Sequence, residues 1–284
     1  MHQPSKRLFV SDLDGTLLQD DTTLSPYARQ KLSLWLDQGL AFTIATARSI
    51  VSVRQILTDL PIRLPVVCAN GAYLSDLQTG AYRSIQSIAK PRDRDLLQLI
   101  LDQGFEPFLS THQNGKDGLY VSKLANEAME WYYKDRDKVG DERLKMTEDL
   151  FSVIDQLVIS FNVMERLEPL KKLEEKIREQ FGELVHVYFY ENWYSPEWYW
   201  LSVYDESATK GGAIRQIMQE HGFSADQLTV FGDNLNDLSM FQLANQALAM
   251  ENAVEGLKRH ATGNIGTNQT DSVIAYLENA TAQE

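Results

Sequence analysis

Three short apolar runs near the beginning of the chain, residues 7–11, 40–45 and 65–69, each stop at a polar residue: Asp12, Thr46 and Asn70. The intervening stretches read as helices. Leu24-Ser25-Pro26 supplies one start, with Ser25 as cap and Pro26 where a missing amide hydrogen costs little. Leu32, Leu34, Trp35 and Leu36 give that helix its apolar side, and Gly39 ends it. Apolar strands separated by helices describe a parallel sheet covered on both faces, and such sheets place ligands beyond the carboxyl ends of their strands.

The texture returns late in the chain. Residues 208–220 read as a helix, 228–231 as a buried strand ending in Gly232-Asp233, 236–244 as a helix and 246–250 as a strand. Val273, Ile274 and Leu277 stand at helical spacing within a closing helix over 270–278. The middle differs: 130–138 is a polar helix, 156–163 a strand, 168–180 a charged amphipathic helix, and 184–190 and 198–204 further strands. The expected fold is α/β, with a Rossmann-like parallel-sheet core in two segments, residues 1–83 and 194–284, the second including the return linker. An α+β domain over 84–193 is inserted between them.

A chain of 284 residues accommodates one large domain or two moderate ones. The formal charge of -13 disfavours a nucleic-acid partner, because a carboxylate-rich surface repels phosphates. Cys68 is the lone cysteine, so neither an intrachain disulfide nor a thiolate metal cluster is expected. No window approaches the roughly 20 apolar residues needed to cross a bilayer, and the first ten residues lack a signal peptide's apolar stretch. The expectation is a cytoplasmic protein with no membrane partner; oligomeric state has no readable signal. His2, His112, His186, His221 and His260 show no recognised metal spacing. Cys68 is read as a small core side chain. Trp131-Tyr132-Tyr133, Trp193-Tyr194 and Trp198-Tyr199-Trp200 are read as core of the insertion, and residues 168–179 as a solvated helix face.

The chemistry collects at strand ends. Asp12-Leu13-Asp14-Gly15-Thr16 follows the first strand, and Asp233-Asn234-Leu235-Asn236-Asp237 follows the late one. Convergent carboxylates repel, so they need a cation, shared protons or solvent to coexist. Asp12 and Asp233, with backbone or water oxygens, offer the hard oxygen environment that Mg²⁺ prefers. Lys210 opens the late helix, where its ammonium and the helix amides favour a phosphate.

In these segments the chain resembles the haloacid dehalogenase-like (HAD) phosphatases, specifically the Cof-type branch with a C2-type α/β cap inserted after the third core strand. The resemblance covers nearly the full length. It is carried by residues 12–17, Thr46-Ala47-Arg48, Asn70-Gly71-Ala72, Lys210-Gly211 and Gly232-Asp233-Asn234-Leu235-Asn236-Asp237 in that order, with Met240 following. It implies that Asp12 attacks phosphorus to form an aspartyl-phosphate, while Asp14 protonates the leaving oxygen and then activates water. It further implies Mg²⁺ held by the side chains of Asp12 and Asp233 and the backbone carbonyl of Asp14. Thr46 and Lys210 would bind phosphate, Asp237 would orient Lys210 or a metal-bound water, and Thr16, Asn70, Asn234 and Asn236 would support the loops. The implied substrate is a small phosphorylated metabolite, either a sugar phosphate or a phosphorylated cofactor of flavin or pyridoxal type. A phosphomutase, a catalytically weak phosphometabolite-binding protein and a receiver-like signalling domain are the alternatives; the last accounts poorly for the long insertion. Two departures stand out. Ala47 replaces the family's usual glycine, which is tolerable at negative φ. Asp271 is followed by Ser272 where the family has Gly-Val, and Asp271 is given no catalytic role.

Overall fold

Strand β1 (Leu8–Ser11), helix α1 (Pro26–Asp37), β2 (Ala41–Ile44), α2 (Ile50–Leu57) and β3 (Val66–Cys68) open the chain with the expected alternation. The structure is a computed structural model describing residues 7–191 and 197–282. It divides into two units, one formed by Met1–Ile85 with Ser207–Glu284, the other by Gln86–Glu206. Ser25 caps α1 by accepting from the Ala28 N–H, and Ser49 caps α2 through Ser52. Helix α1 buries Ala28, Leu32, Trp35 and Leu36. Leu34 departs from its expected place on that apolar side and is 51% exposed. It lies two positions from both Leu32 and Leu36, which on a 3.6-residue helix is the opposite flank. Cys68 is fully buried in β3, as expected. Strands β4 (Tyr73–Ser75) and β5 (Tyr82–Ile85) extend β3 into a small antiparallel sheet.

The inserted unit follows as α3 (Arg92–Asp102), β6 (Pro107–Gln113), β7 (Lys116–Val121), α4 (Glu127–Lys138), β8 (Leu144–Met146), β9 (Leu157–Arg166), α5 (Leu167–Phe181), β10 (Val185–Glu191) and β11 (Trp198–Asp205). Its six strands lie in the order β10-β11-β9-β6-β7-β8. Helices α3 and α5 pack Leu97, Ile100, Leu173 and Ile177 against Leu109, Phe161 and Leu201 of the sheet. A smaller cluster joins Phe108, Met129, Met164 and Trp198, flanked by Tyr132, Tyr133 and Trp200. Trp198 is buried core, and Tyr132, Tyr133 and Trp200 pack against this cluster partly buried, with Tyr132 edge-on to Trp200 at 4.9 Å. Trp193 and Tyr194 lie outside the described residues. β11 pairs with β10 on one side and β9 on the other, so this strand sits inside the insertion although the sequence boundary falls at Trp193. The compact units change at Ile85 and again at Glu206.

The first unit resumes with α6 (Lys210–His221), β12 (Leu228–Gly232), α7 (Leu238–Phe241), β13 (Gln246–Met250), α8 (Glu255–Lys258), β14 (Gly263–Ile265) and α9 (Ser272–Thr281). The helix expected over 236–244 is shorter, a tight turn at Leu235–Asp237 leading into one turn of α7. Five parallel strands run in the order β14-β13-β12-β1-β2, and a parallel bridge from Ala45 to Val67 attaches β3 beyond β2. β1, from the start of the chain, therefore lies beside β12, from near its end. Ser11 is level with Ile44 on one neighbour and Phe231 on the other. The residues just past those three strands accordingly emerge at one rim of the sheet.

Candidate active site

Asp12 leaves β1 with its N–H donating to the Phe231 carbonyl at 3.0 Å, which keeps it tied to β12 one residue beyond the strand. Its side chain is buried and meets Lys210, whose Nζ lies 2.7 Å from Asp12 Oδ1 and 2.6 Å from Asp237 Oδ1. Lys210 is fully buried at the first position of α6, a helix capped by Thr209. Asp237 is fully engaged: its Oδ2 also accepts the backbone N–H groups of Asp233 and Asn234 at 2.9 and 3.1 Å. One carboxylate thus anchors the lysine and folds the loop after β12. Donor oxygens of Asp12, Asp233 and Asp237 all lie within 4.8 Å of one another.

The segment after Asp12 makes a sharp turn. Asp14 at φ -73°, ψ 123° and Gly15 at φ 74°, ψ 2° are the two central residues of a type II turn, whose second position requires positive φ. Leu18 N–H closes the loop onto the Leu13 carbonyl at 2.8 Å. Glycine is needed at Gly15 for a second reason, since a Cβ there would sit 2.5 Å from Asp233 Oδ2. Thr16 crosses to the same partner, its Oγ1 donating to Asp233 Oδ1 at 3.2 Å.

Asp14 points to a different partner. Arg48 grips it in a two-pronged contact, Nε to Oδ2 at 2.7 Å and Nη2 to Oδ1 at 2.5 Å. Arg48 is in turn braced by Ser52 at 3.1 Å, one turn into α2. Thr46 is buried; its N–H donates to Val67, its carbonyl accepts from Asn70, and its Oγ1 accepts from the Arg48 N–H at 3.1 Å. Ala47 is absent from the residues with positive φ, so its side chain is accommodated without strain. Asn70 does take positive φ, at 56°, and its Oδ1 accepts from Asn236 Nδ2 at 3.0 Å, joining the turn after β3 to the loop after β12. Asn234 spends its Oδ1 on the Leu235 N–H as a local cap. Asp271, assigned no role, packs between helices: its Oδ2 accepts from Ser25, the cap of α1.

Burial and charge set the electrostatics. Asp12 titrates well above an ordinary carboxylate because burial disfavours its charge; Lys210 opposes this, while Asp237 and Asp233 add to it. Asp233 is pushed up to about 7, by burial first and then by Asp237, against the pull of Lys210. Burial also works against the Lys210 ammonium, yet Asp12 and Asp237 more than offset it and hold its pKa above the ordinary lysine value. Three clustered carboxylates and one ammonium leave negative charge uncompensated. An all-oxygen donor set with excess negative charge fits a hard divalent cation.

Sequence reasoning brought Asp12, Asp14, Thr16, Thr46, Asn70, Lys210, Asp233, Asn234, Asn236 and Asp237 to notice. The structure groups Asp12, Thr16, Lys210, Asp233 and Asp237 in one connected set, with Asp14 on Arg48 and Asn70 on Asn236. Arg48 as the partner of Asp14 was not foreseen. Its signal in the sequence is its place in the Thr46-Ala47-Arg48 segment that carries the family resemblance, two residues beyond the strand-end Thr46.

The sequence matches the haloacid dehalogenase-like hydrolase family over residues 9–277. It is 24% identical over 282 residues to the pyridoxal phosphate phosphatase YbhA of Escherichia coli, covering 95% of this chain and 97% of that one. It is 26% identical over 294 residues to the 5-amino-6-(5-phospho-D-ribitylamino)uracil phosphatase YwtE of Bacillus subtilis, covering 94% and 95%. Among solved structures, a Thermotoga maritima protein superposes with a TM-score of 0.76 at 25% identity, covering 96% of this chain and 97% of that one. A haloacid dehalogenase-like hydrolase from B. subtilis superposes with a TM-score of 0.78 at 21% identity, covering 96% and 99%.

Proposed function

The chain belongs to the haloacid dehalogenase-like hydrolases, and on that footing we propose that it is a Mg²⁺-dependent phosphatase of small phosphorylated metabolites, working through an aspartyl-phosphate on Asp12. We assign it to the Cof-type branch, with Gln86–Glu206 as a C2-type cap, and to the cytoplasm. Among the described residues no helix is long and apolar enough to cross a membrane. The observation that carries the reading is the buried Lys210 ammonium held between Asp12 and Asp237, beside Asp233 at the ends of parallel strands.

Asp12 and Asp233 are the side chains that would hold the cation, with the backbone carbonyl of Asp14; Asp237 already accepts three hydrogen bonds and acts as the anchor of Lys210. Bound there, Mg²⁺ supplies positive charge beside the phosphoryl oxygens, easing the approach of one anion to another. Lys210 adds a second positive charge on the same side, and Thr46 a hydroxyl. An Asp12 carboxylate oxygen bonds to phosphorus as the ester P–O bond breaks, and Asp14 gives its proton to the departing alkoxide. Water then attacks the phosphorus of the acyl phosphate, passing a proton to Asp14; inorganic phosphate leaves and Asp12 is restored.

Two curated relatives are phosphatases of a pyridine cofactor phosphate and of a ribityl phosphate on a pyrimidine. We therefore place phosphorylated cofactors and sugar or sugar-alcohol phosphates first among substrates. The test is Mg²⁺-dependent release of inorganic phosphate across a panel including both compounds, with Asp12→Ala as background. We expect turnover of at least one metabolite by the native chain and none by folded Asp12→Ala. Equal phosphate release by both proteins would remove Asp12 as nucleophile, and isomerised sugar phosphate without free phosphate would turn the reading to a mutase.

A further inference from the structure

The turn that carries Asp14 is held from outside by two asparagines of the last segment of the chain. Asn252 donates from Nδ2 to the Gly15 carbonyl at 2.8 Å, and its Oδ1 accepts the backbone N–H of Asn268 at 3.2 Å. Asn268 is 4% exposed and donates from Nδ2 to the Leu18 carbonyl at 2.9 Å and to Asp20 Oδ1 at 3.0 Å. The relay therefore grips the turn at two carbonyls, on either side of Thr16.

What that grip controls is the seat of the turn. The Gly15 and Leu18 carbonyls are tied to the last segment of the chain, and the Leu18 N–H closes back onto the Leu13 carbonyl at 2.8 Å, so the loop from Leu13 to Leu18 cannot shift as a body without breaking the Asn252 or Asn268 bonds. The turn's own backbone form comes from Gly15, which supplies positive φ at its second central position.

We propose that Asn252 and Asn268 are positioning residues for the nucleophile turn: their amide relay pins the Gly15 and Leu18 carbonyls and so fixes where the turn that presents Asp14 rests. Neither residue touches the reacting atoms. The catalytic consequence rests on the phosphatase reading; the hold on the turn does not.

Asn252→Asp keeps the size and the Oδ1 acceptor but replaces the donor to Gly15 with a repelling carboxylate oxygen. Asn268→Asp keeps the backbone donor to Asn252 and loses both Nδ2 donors. Hydrogen–deuterium exchange on the full metal-free chain should show residues 13–18 exchanging roughly tenfold faster in each variant, with β12 and β13 unchanged. Calorimetry should show Mg²⁺ binding roughly tenfold weaker, and on a turned-over phosphoester kcat should fall roughly tenfold or more while KM stays within about twofold. Unchanged exchange over 13–18 overturns the hold. Faster exchange with native Mg²⁺ affinity and native kcat overturns the positioning role. If the native chain hydrolyses no phosphoester, the phosphatase reading falls while exchange and calorimetry still decide this one. Should Asn268→Asp fail to fold, the exposed Asn252→Asp decides alone.

Discussion

Asp12 and Asp14 are the same residue type two positions apart, and their neighbours give them opposite characters. Asp12 is buried against an ammonium and two carboxylates, while Asp14 has a half-exposed side chain gripped by a guanidinium fork from another loop. An oriented acid matters most when the leaving alkoxide is strongly basic. Asp14→Asn should therefore slow an alkyl phosphate about 10²–10⁴-fold and an aryl phosphate such as p-nitrophenyl phosphate far less. Arg48→Ala, which frees Asp14 to wander, should show the same preference at about a tenth of the size or less. Equal slowing of both substrates would remove Asp14 from proton transfer. Lys210→Ala is a blunter probe: stripping one partner from a buried charge cluster costs about 3–5 kcal/mol of folding stability, so loss of turnover there reports two things at once. The site's residue types and their places at strand ends were legible, because each lies within a short local motif. The pairings were not. That Arg48 reaches Asp14, or that Asp237 serves a lysine and two backbone amides together, depends on how loops from distant segments come to rest against one another.

The parallel core was legible at the level of elements because each buried strand is a plain apolar run with a helical stretch beside it. Strands of the insertion were harder. β6 begins with a proline and carries Ser110, Thr111 and His112, while β7 begins Lys-Asp-Gly, so neither shows the alternation that marks a strand. Helix α3 opens with four consecutive charged residues, hiding Leu96, Leu97 and Ile100 behind a polar first turn. β11 was recognisable as a strand, but nothing in an aromatic run of eight residues says which of two sheets it joins. One packing detail links the elements to the chemistry. Helices α6 and α7 approach so closely that a Cβ on Gly211 would lie 2.3 Å from the Ser239 carbonyl oxygen. Gly211→Ala should push the first turn of α6 away and carry the adjacent Lys210 with it. We expect about 1–3 kcal/mol of destabilisation in urea unfolding, together with a lower kcat. The neighbouring Gly212→Ala meets chiefly the Thr209 hydroxyl and should be milder in both. Native kcat and native stability in Gly211→Ala would show that the two helices separate freely.

For the molecule as a whole, the acidic cluster makes metal-free folding depend on pH in a direction opposite to most carboxylates. Asp233 has a pKa raised from 3.8 to about 7 in the folded chain, by burial and by Asp237. Between those values the unfolded chain has released the proton that the folded chain still binds, so stability falls as pH rises through this window and levels off above about 7. A salt-bridged carboxylate with a depressed pKa would do the reverse. The contribution is isolated by comparing the native chain with Asp233→Asn, which keeps the shape and removes the titration. In the presence of chelator, the native chain should lose melting temperature relative to Asp233→Asn as pH goes from about 4 to about 7. In the proposed site magnesium would replace the protons in neutralising the same oxygens, so its stabilisation of the native chain should grow across that window by mass action and be largely absent in Asp233→Asn. Thermal melts with chelator and with saturating Mg²⁺ measure both quantities at once. A Mg²⁺ effect that is the same at every pH, or undiminished in Asp233→Asn, would place the cation elsewhere and separate the charge balance of this cluster from the stability of the fold.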